Sequence, residues 1–164
     1  MEIAQHRKPL SECALDELWR GELAAKDERV QLLQTISGVG RKTAEVVVVY
    51  IDDPHRFQNA RQVSAYAGLV PKRYQSGEMD RSGRISKGGP RLLRGALVEA
   101  AWMMLRYNPW ARSVYERLCS RQKTRKKKAI VAVARKLLVR CWVMLLRKEP
   151  WNQEAGLAKT AAVA

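Results

Sequence analysis

The chain has 164 residues, 46% of them apolar, and carries a formal net charge of +15. That is one domain, or one domain with an appendage, with enough apolar material for a core, and its cationic excess points to a polyanionic partner, DNA or RNA first. The longest apolar runs, Val46 to Ile51 and Cys141 to Leu146, are far too short for a membrane helix. The opening MEIAQHRKPLSE has no apolar signal-peptide core, and the ends show no lipidation motif. The expected setting is the cytoplasm, at the nucleoid, without a membrane.

Three scattered cysteines, Cys13, Cys119 and Cys141, fit reduced thiols, and two histidines, His6 and His55, make no zinc pattern. No metal and no cofactor are expected in this chain.

Residues 1–27 read as a helical lead or linker. Its helix spans about Leu10 to Lys26, with Ser11 as cap and Leu15, Leu18, Trp19 and Leu23 on one side. Next, Val30, Leu33 and Ile36 mark a helix that runs into Ser37-Gly38-Val39-Gly40, and a second helix starts near Arg41. Val46 to Val49 is β-branched and permits a strand on propensity alone; the spacing of the pair favours helix. Such a glycine turn presents unpaired amides at a helix N-terminus, where an anion is favoured. Arg41 and Lys42 add charge. The stretch 28–51 therefore resembles a helix-hairpin-helix that grips phosphate through Gly38, Val39, Gly40, Arg41 and Lys42. The competing reading is a tight αα-turn with no ligand.

Asp52-Asp53-Pro54 reads as a turn in preference to a metal site. Asn59 caps a helix from Arg61 to Ala67, stopped by Gly68.

Residues 68–89 follow as a long basic loop with room for a short hairpin. Loops of this length are uncommon unless they function, and this one is expected to be mobile without nucleic acid. Arg73, Arg81, Arg84, Lys87 and the adjoining Arg91 are candidate phosphate contacts. At its centre Ser76 stands beside Gly77, a hydroxyl next to a residue with no side chain; a polar turn residue is the bland reading.

Helices are expected over 90–148. Pro90 opens the first, whose stripe is Leu93, Ala96, Leu97, Ala100 and Met104, widened by Trp102 and Met103. Asn108-Pro109 starts the next. Six cations, Arg121, Lys123, Arg125, Lys126, Lys127 and Lys128, then lead into a last helix through Ile130, Ala134, Leu137, Leu138, Cys141 and Leu145. Lys126, Lys127 and Lys128 are read as nucleic-acid contacts rather than a solvated linker. Residues 149–164 are expected to be a loose tail. The fold class is mainly α, a helical domain built on a helix-hairpin-helix with the basic loop between helices.

Four stretches, LLQTISGVGRKTAEVVV, RFQNARQVSAYAGLVPKRYQSGE, GRISKGGPRLLRGALVEAAW and KKKAIVAVARKLL, occur in the order of one family. Residues 28–148 resemble the C-terminal domain of the insertion sequence 110 (116/902 group) transposases. That resemblance implies a bridge-RNA-guided serine recombinase. Its RuvC-like N-terminal domain, holding divalent metal such as magnesium, has no counterpart in this sequence. The resemblance also implies Ser76 as nucleophile, DNA and a structured guide RNA as partners, and an oligomer on DNA. Ser37 and Pro90 depart from the family's usual proline and asparagine. Without the resemblance, a non-catalytic helix-hairpin-helix DNA-binding module or a basic RNA-binding protein also fits. The isolated chain is expected to be inactive.

Overall fold

The computed structural model describes residues 27–76, 79–119 and 125–152, and only the backbone of 72–84. The helix expected over Leu10 to Lys26, Gly77, Glu78, Arg121 and Lys123 lie outside the described residues. Within these limits the chain forms six α-helices, one short 3-10 turn and one two-stranded ribbon.

Helix α1 is Glu28–Gln34, started by Asp27, whose carboxylate accepts the Arg29 amide at 2.8 Å and pairs with its guanidinium at 2.8 Å. Helix α2 is Arg41–Ile51. Its β-branched run does not make a strand, because Val46, Val47 and Val48 are all buried against the other helices. Asp53 caps the 3-10 turn Pro54–Arg56 by accepting the His55 amide at 2.9 Å, so this acidic pair closes a turn as expected. Helix α3 is Ala60–Tyr66, capped by Asn59 through the Gln62 amide at 3.0 Å. Its end is tied by amides of Ala67, Gly68 and Leu69 donating back to Val63, Ala65 and Ser64 carbonyls.

Strands β1, Pro71–Ser76, and β2, Met79–Ile85, pair antiparallel. Most of the segment expected as a loop with room for a short hairpin is therefore a β-ribbon. It gains a ladder of backbone hydrogen bonds without needing a core of its own.

Helix α4 is Arg91–Tyr107, with Pro90 at its cap position and not in its first turn. Leu93, Leu97, Ala100 and Met104 are buried as the periodicity predicts. Trp102 and Met103 are not part of the core: they are 47% and 46% exposed. Trp102 instead meets Tyr115 edge-tilted, ring centres 6.4 Å apart. Helix α5 is Pro109–Cys119, and the buried Asn108 caps it, accepting from the Ala111 amide at 3.3 Å.

Helix α6, Lys126–Arg147, is the axis of the body, about 33 Å long at 1.5 Å per residue. It touches every other helix and the 3-10 turn. Its face of Ile130, Ala134, Leu137, Leu138, Cys141 and Leu145 is buried throughout. Trp142 fixes the 3-10 turn by donating Nε1–H to the Pro54 carbonyl at 2.8 Å. The segment expected as a loose tail begins docked: Trp151 meets Trp110 edge-on at 5.4 Å, and its amide donates to the Thr35 hydroxyl at 3.0 Å.

Candidate nucleic-acid interface

The turn between α1 and α2 is fixed by packing as much as by its glycines. Gly38 has φ +98°, and a Cβ there would lie 2.8 Å from the Met104 Cα. The turn can sit on α4 only because this position has no side chain. Gly40 caps α2 with φ −83° and no side-chain hydrogen bond, and open space surrounds it. By helix geometry the amides that follow lack an intrahelical acceptor and face outward along the dipole.

Two residues assigned to phosphate are committed elsewhere. Val39 is buried, and its amide donates to the Ile36 carbonyl at 2.9 Å. Arg41 pairs through Nε with Glu45 Oε1 at 2.6 Å, so a buried carboxylate balances its charge. Lys42, exposed, adds a second cationic side chain in the first turn of this helix.

The ribbon emerges through a narrow base. A Cβ on Gly68, φ +67°, would lie 2.9 Å from the Gly89 amide nitrogen, and one on Gly89 would overlap the Tyr66 carbonyl oxygen. The two chain ends thus touch backbone to backbone. Ser86 and Lys87 amides donate to the Val70 and Gly68 carbonyls at 2.8 and 3.2 Å. Arg94 closes the junction, its Nη1 donating to Gly89 and Ala67 carbonyls at 3.1 and 3.4 Å. This cation of the basic stretch is a clamp for the ribbon, not a surface charge.

Register places Ser76 opposite Met79 in the last pair of the ladder, beside the pairs Gln75–Asp80 and Tyr74–Arg81. Arg73 pairs with Ser82 farther down, and Arg84 lies in β2 near the base. Lys87 and Arg91 are exposed just past the base. Lys126, Lys127 and Lys128 form the exposed first turn of α6. The structure does not gather these residues into one spot. The Gly38 turn packs at Met104 and the ribbon base at Pro90, so they lie at opposite ends of α4, roughly 20 Å apart.

The profile of the Transposase IS116/IS110/IS902 family matches residues 30–116, more than half of the chain. The chain belongs to that family. The matched region of this transposase-family chain takes in the glycine turn, the ribbon and its base. It is 41% identical, over 68% of its length, to a putative transposase, y4rJ, of Sinorhizobium fredii, and covers 29% of that protein. It is 35% identical to the pilin gene-inverting protein of Moraxella lacunata, over 76% of this chain and 39% of the other. The transposase for insertion sequence element IS1111A of Coxiella burnetii is 34% identical over 79% of this chain and 36% of its own length. The chain therefore spans well under half of the curated relatives it matches.

No helix among the described residues of this transposase-family chain is long and apolar enough to cross a membrane. No group of three or more His, Cys, Asp or Glu side chains among them could hold a metal ion. What sequence reading missed is a set of cations spread over three helices, Arg61, Arg117, Arg135, Lys136 and Arg140, that line one cavity. They lie up to 79 positions apart, so no local charge run announces them.

Proposed function

We propose that the chain is the DNA-binding and strand-transfer domain of a transposase or site-specific recombinase, with Ser76 as its nucleophile. The observation that carries this reading is the ribbon. A clamped base leads to a ladder whose last pair contains Ser76, and cationic positions flank it along both strands. Family membership, with relatives named as transposases and as a pilin gene-inverting protein, agrees with it.

In this reading the Ser76 hydroxyl oxygen attacks a DNA phosphorus. A serine–phosphate bond forms, one bridging P–O bond breaks, and the departing strand end leaves as a hydroxyl that takes up a proton. Attack by a second strand end on the phosphoserine reverses the step and joins new partners. Arg73, Arg81 and Arg84 neutralise charge on the phosphoryl oxygens. The turn at Gly40 and Lys42 holds a backbone phosphate some distance away, in the manner of a helix-hairpin-helix, and sets the register of the duplex. In this reading divalent metal belongs to a RuvC-like part of the full-length protein, and no step above runs through it. DNA, a structured guide RNA and further copies of the protein complete the assembly.

The test joins this chain to its RuvC-like part and supplies guide RNA and target DNA. A denaturing gel should show a covalent protein–DNA adduct that Ser76→Ala abolishes. An adduct of equal yield in Ser76→Ala would remove the serine from the chemistry.

A further inference from the structure

Between α3, α5 and α6, next to the root of β1, lies a cavity of about 400 Å³. Arg61, Arg117, Arg135, Lys136 and Arg140 line it, with Ala60, Val70, Val139 and the buried Trp110 as apolar wall. No acidic residue is among the lining. Among the described residues no carboxylate lies within ion-pair distance of Arg61, Arg135, Lys136 or Arg140.

An ordinary solvated helix face keeps its cations extended into water and far from one another. Here Arg135, Lys136 and Arg140 are half-buried. Burial above all, and then Arg117, Arg135 and Arg140, push the Lys136 ammonium below its usual range. The Arg140 guanidinium is held over the Trp110 and Trp151 rings at 5.7 and 5.9 Å, so its place is set before any ligand arrives. Like charges gathered in a partly desolvated hollow oppose folding unless an anion relieves them.

We infer that this groove is a second phosphate site, which holds the backbone of one nucleic-acid strand where it approaches the ribbon. Phosphodiester oxygens match the cationic heads of Arg61, Arg135, Lys136 and Arg140, and the apolar wall accepts sugar and base edges. Val70 lies in the lining and Pro71 begins β1, so a strand seated here is led to the foot of the ribbon. The site goes beyond the Ser76 reading and does not depend on it.

The experiment uses chain 1–164 and a short labelled oligonucleotide, as single-stranded DNA and as RNA of the same sequence, followed by fluorescence anisotropy. Arg135→Gln/Lys136→Gln should weaken binding about tenfold and lower the salt slope by about 0.7 for each lost phosphate contact. Arg106→Gln/Lys148→Gln removes equal charge from exposed positions outside the groove and should change affinity less than about threefold. The tighter of the two polymers identifies the strand that the groove holds. Acetylation footprinting of the wild-type chain gives a readout independent of any variant's folding. The oligonucleotide should protect Lys136 and leave Lys148 reactive. Equal affinity losses in both double variants, no loss in the groove variant, or an unprotected Lys136 would overturn the proposal. Ser76→Ala, chosen to abolish the covalent adduct, should leave this binding intact.

Discussion

At the scale of single residues, two glycines of one turn have different jobs. Gly38 combines φ +98° with a backbone contact to Met104 that leaves no room for a Cβ. Gly38→Ala is expected to destabilise the chain by about 3 kcal/mol or more, as strain and overpacking add. Gly40 has ordinary backbone angles and open surroundings. For Gly40→Ala, a poorer helix cap opposes a less flexible unfolded chain, so stability should move by less than about 0.5 kcal/mol. Urea titration of the pair checks both values. From sequence the two look alike, because only the position of α4 separates them. Cys141 makes a second case. Full burial pushes its thiol from 9.0 up to about 12. Below pH 9 the folded and unfolded chains both carry the protonated thiol, so the shift has no effect on stability. Between 9 and about 12 the unfolded chain ionises first, and stability should fall with rising pH. At pH 10.5 the loss from this group is on the order of 2 kcal/mol. Comparing urea midpoints of wild type and Cys141→Ala at pH 8 and 10.5 isolates it. Cys141 should also resist iodoacetamide until the chain unfolds.

Helices were legible as elements wherever an apolar stripe met a cap: Asn59, Asn108 and the α6 face stand where periodicity puts them. Trp102 and Met103 escaped the pattern, since apolar character gives no direction on the outer side of an already filled stripe. The ribbon was legible only as room for a short hairpin in a loop, for another reason. Its strands are polar and cationic, so neither alternation nor β-branching marks them, and pairing is set by the closed base. Arg94 is the side chain that closes it. Arg94→Met keeps the aliphatic stem and removes both hydrogen bonds. The expected result is faster hydrogen exchange at the Ser86 and Lys87 amides, with the α6 amides unchanged and the melting temperature lowered by only a few degrees. Unchanged exchange at those two amides would mean that the base holds without its clamp.

For the whole molecule, cations among the described residues gather at separate places: the α2 start, the ribbon, the first turn of α6 and the groove. Charge alone foretold a polyanion but not this division, because the partition depends on how three distant helices meet. Nucleic-acid binding by the chain should show little sequence preference. It should weaken steeply with salt, by about 0.9 log units per released counterion for each decade on duplex DNA; a flat salt response would contradict the prediction. The contact between Gly68 and Gly89 has one more consequence. The body closes on itself where the ribbon leaves and returns, so to the helices the ribbon is a detour of no particular length. Residues 71–85 form a cassette: a short Gly–Ser linker in their place should leave a cooperatively melting helical protein with an unchanged far-ultraviolet helix signal, since closing a longer or shorter detour differs by only about 0.6 kcal/mol per doubling of length. Reach toward a partner can then change through insertions and deletions at one locus while the fold that carries it stays the same.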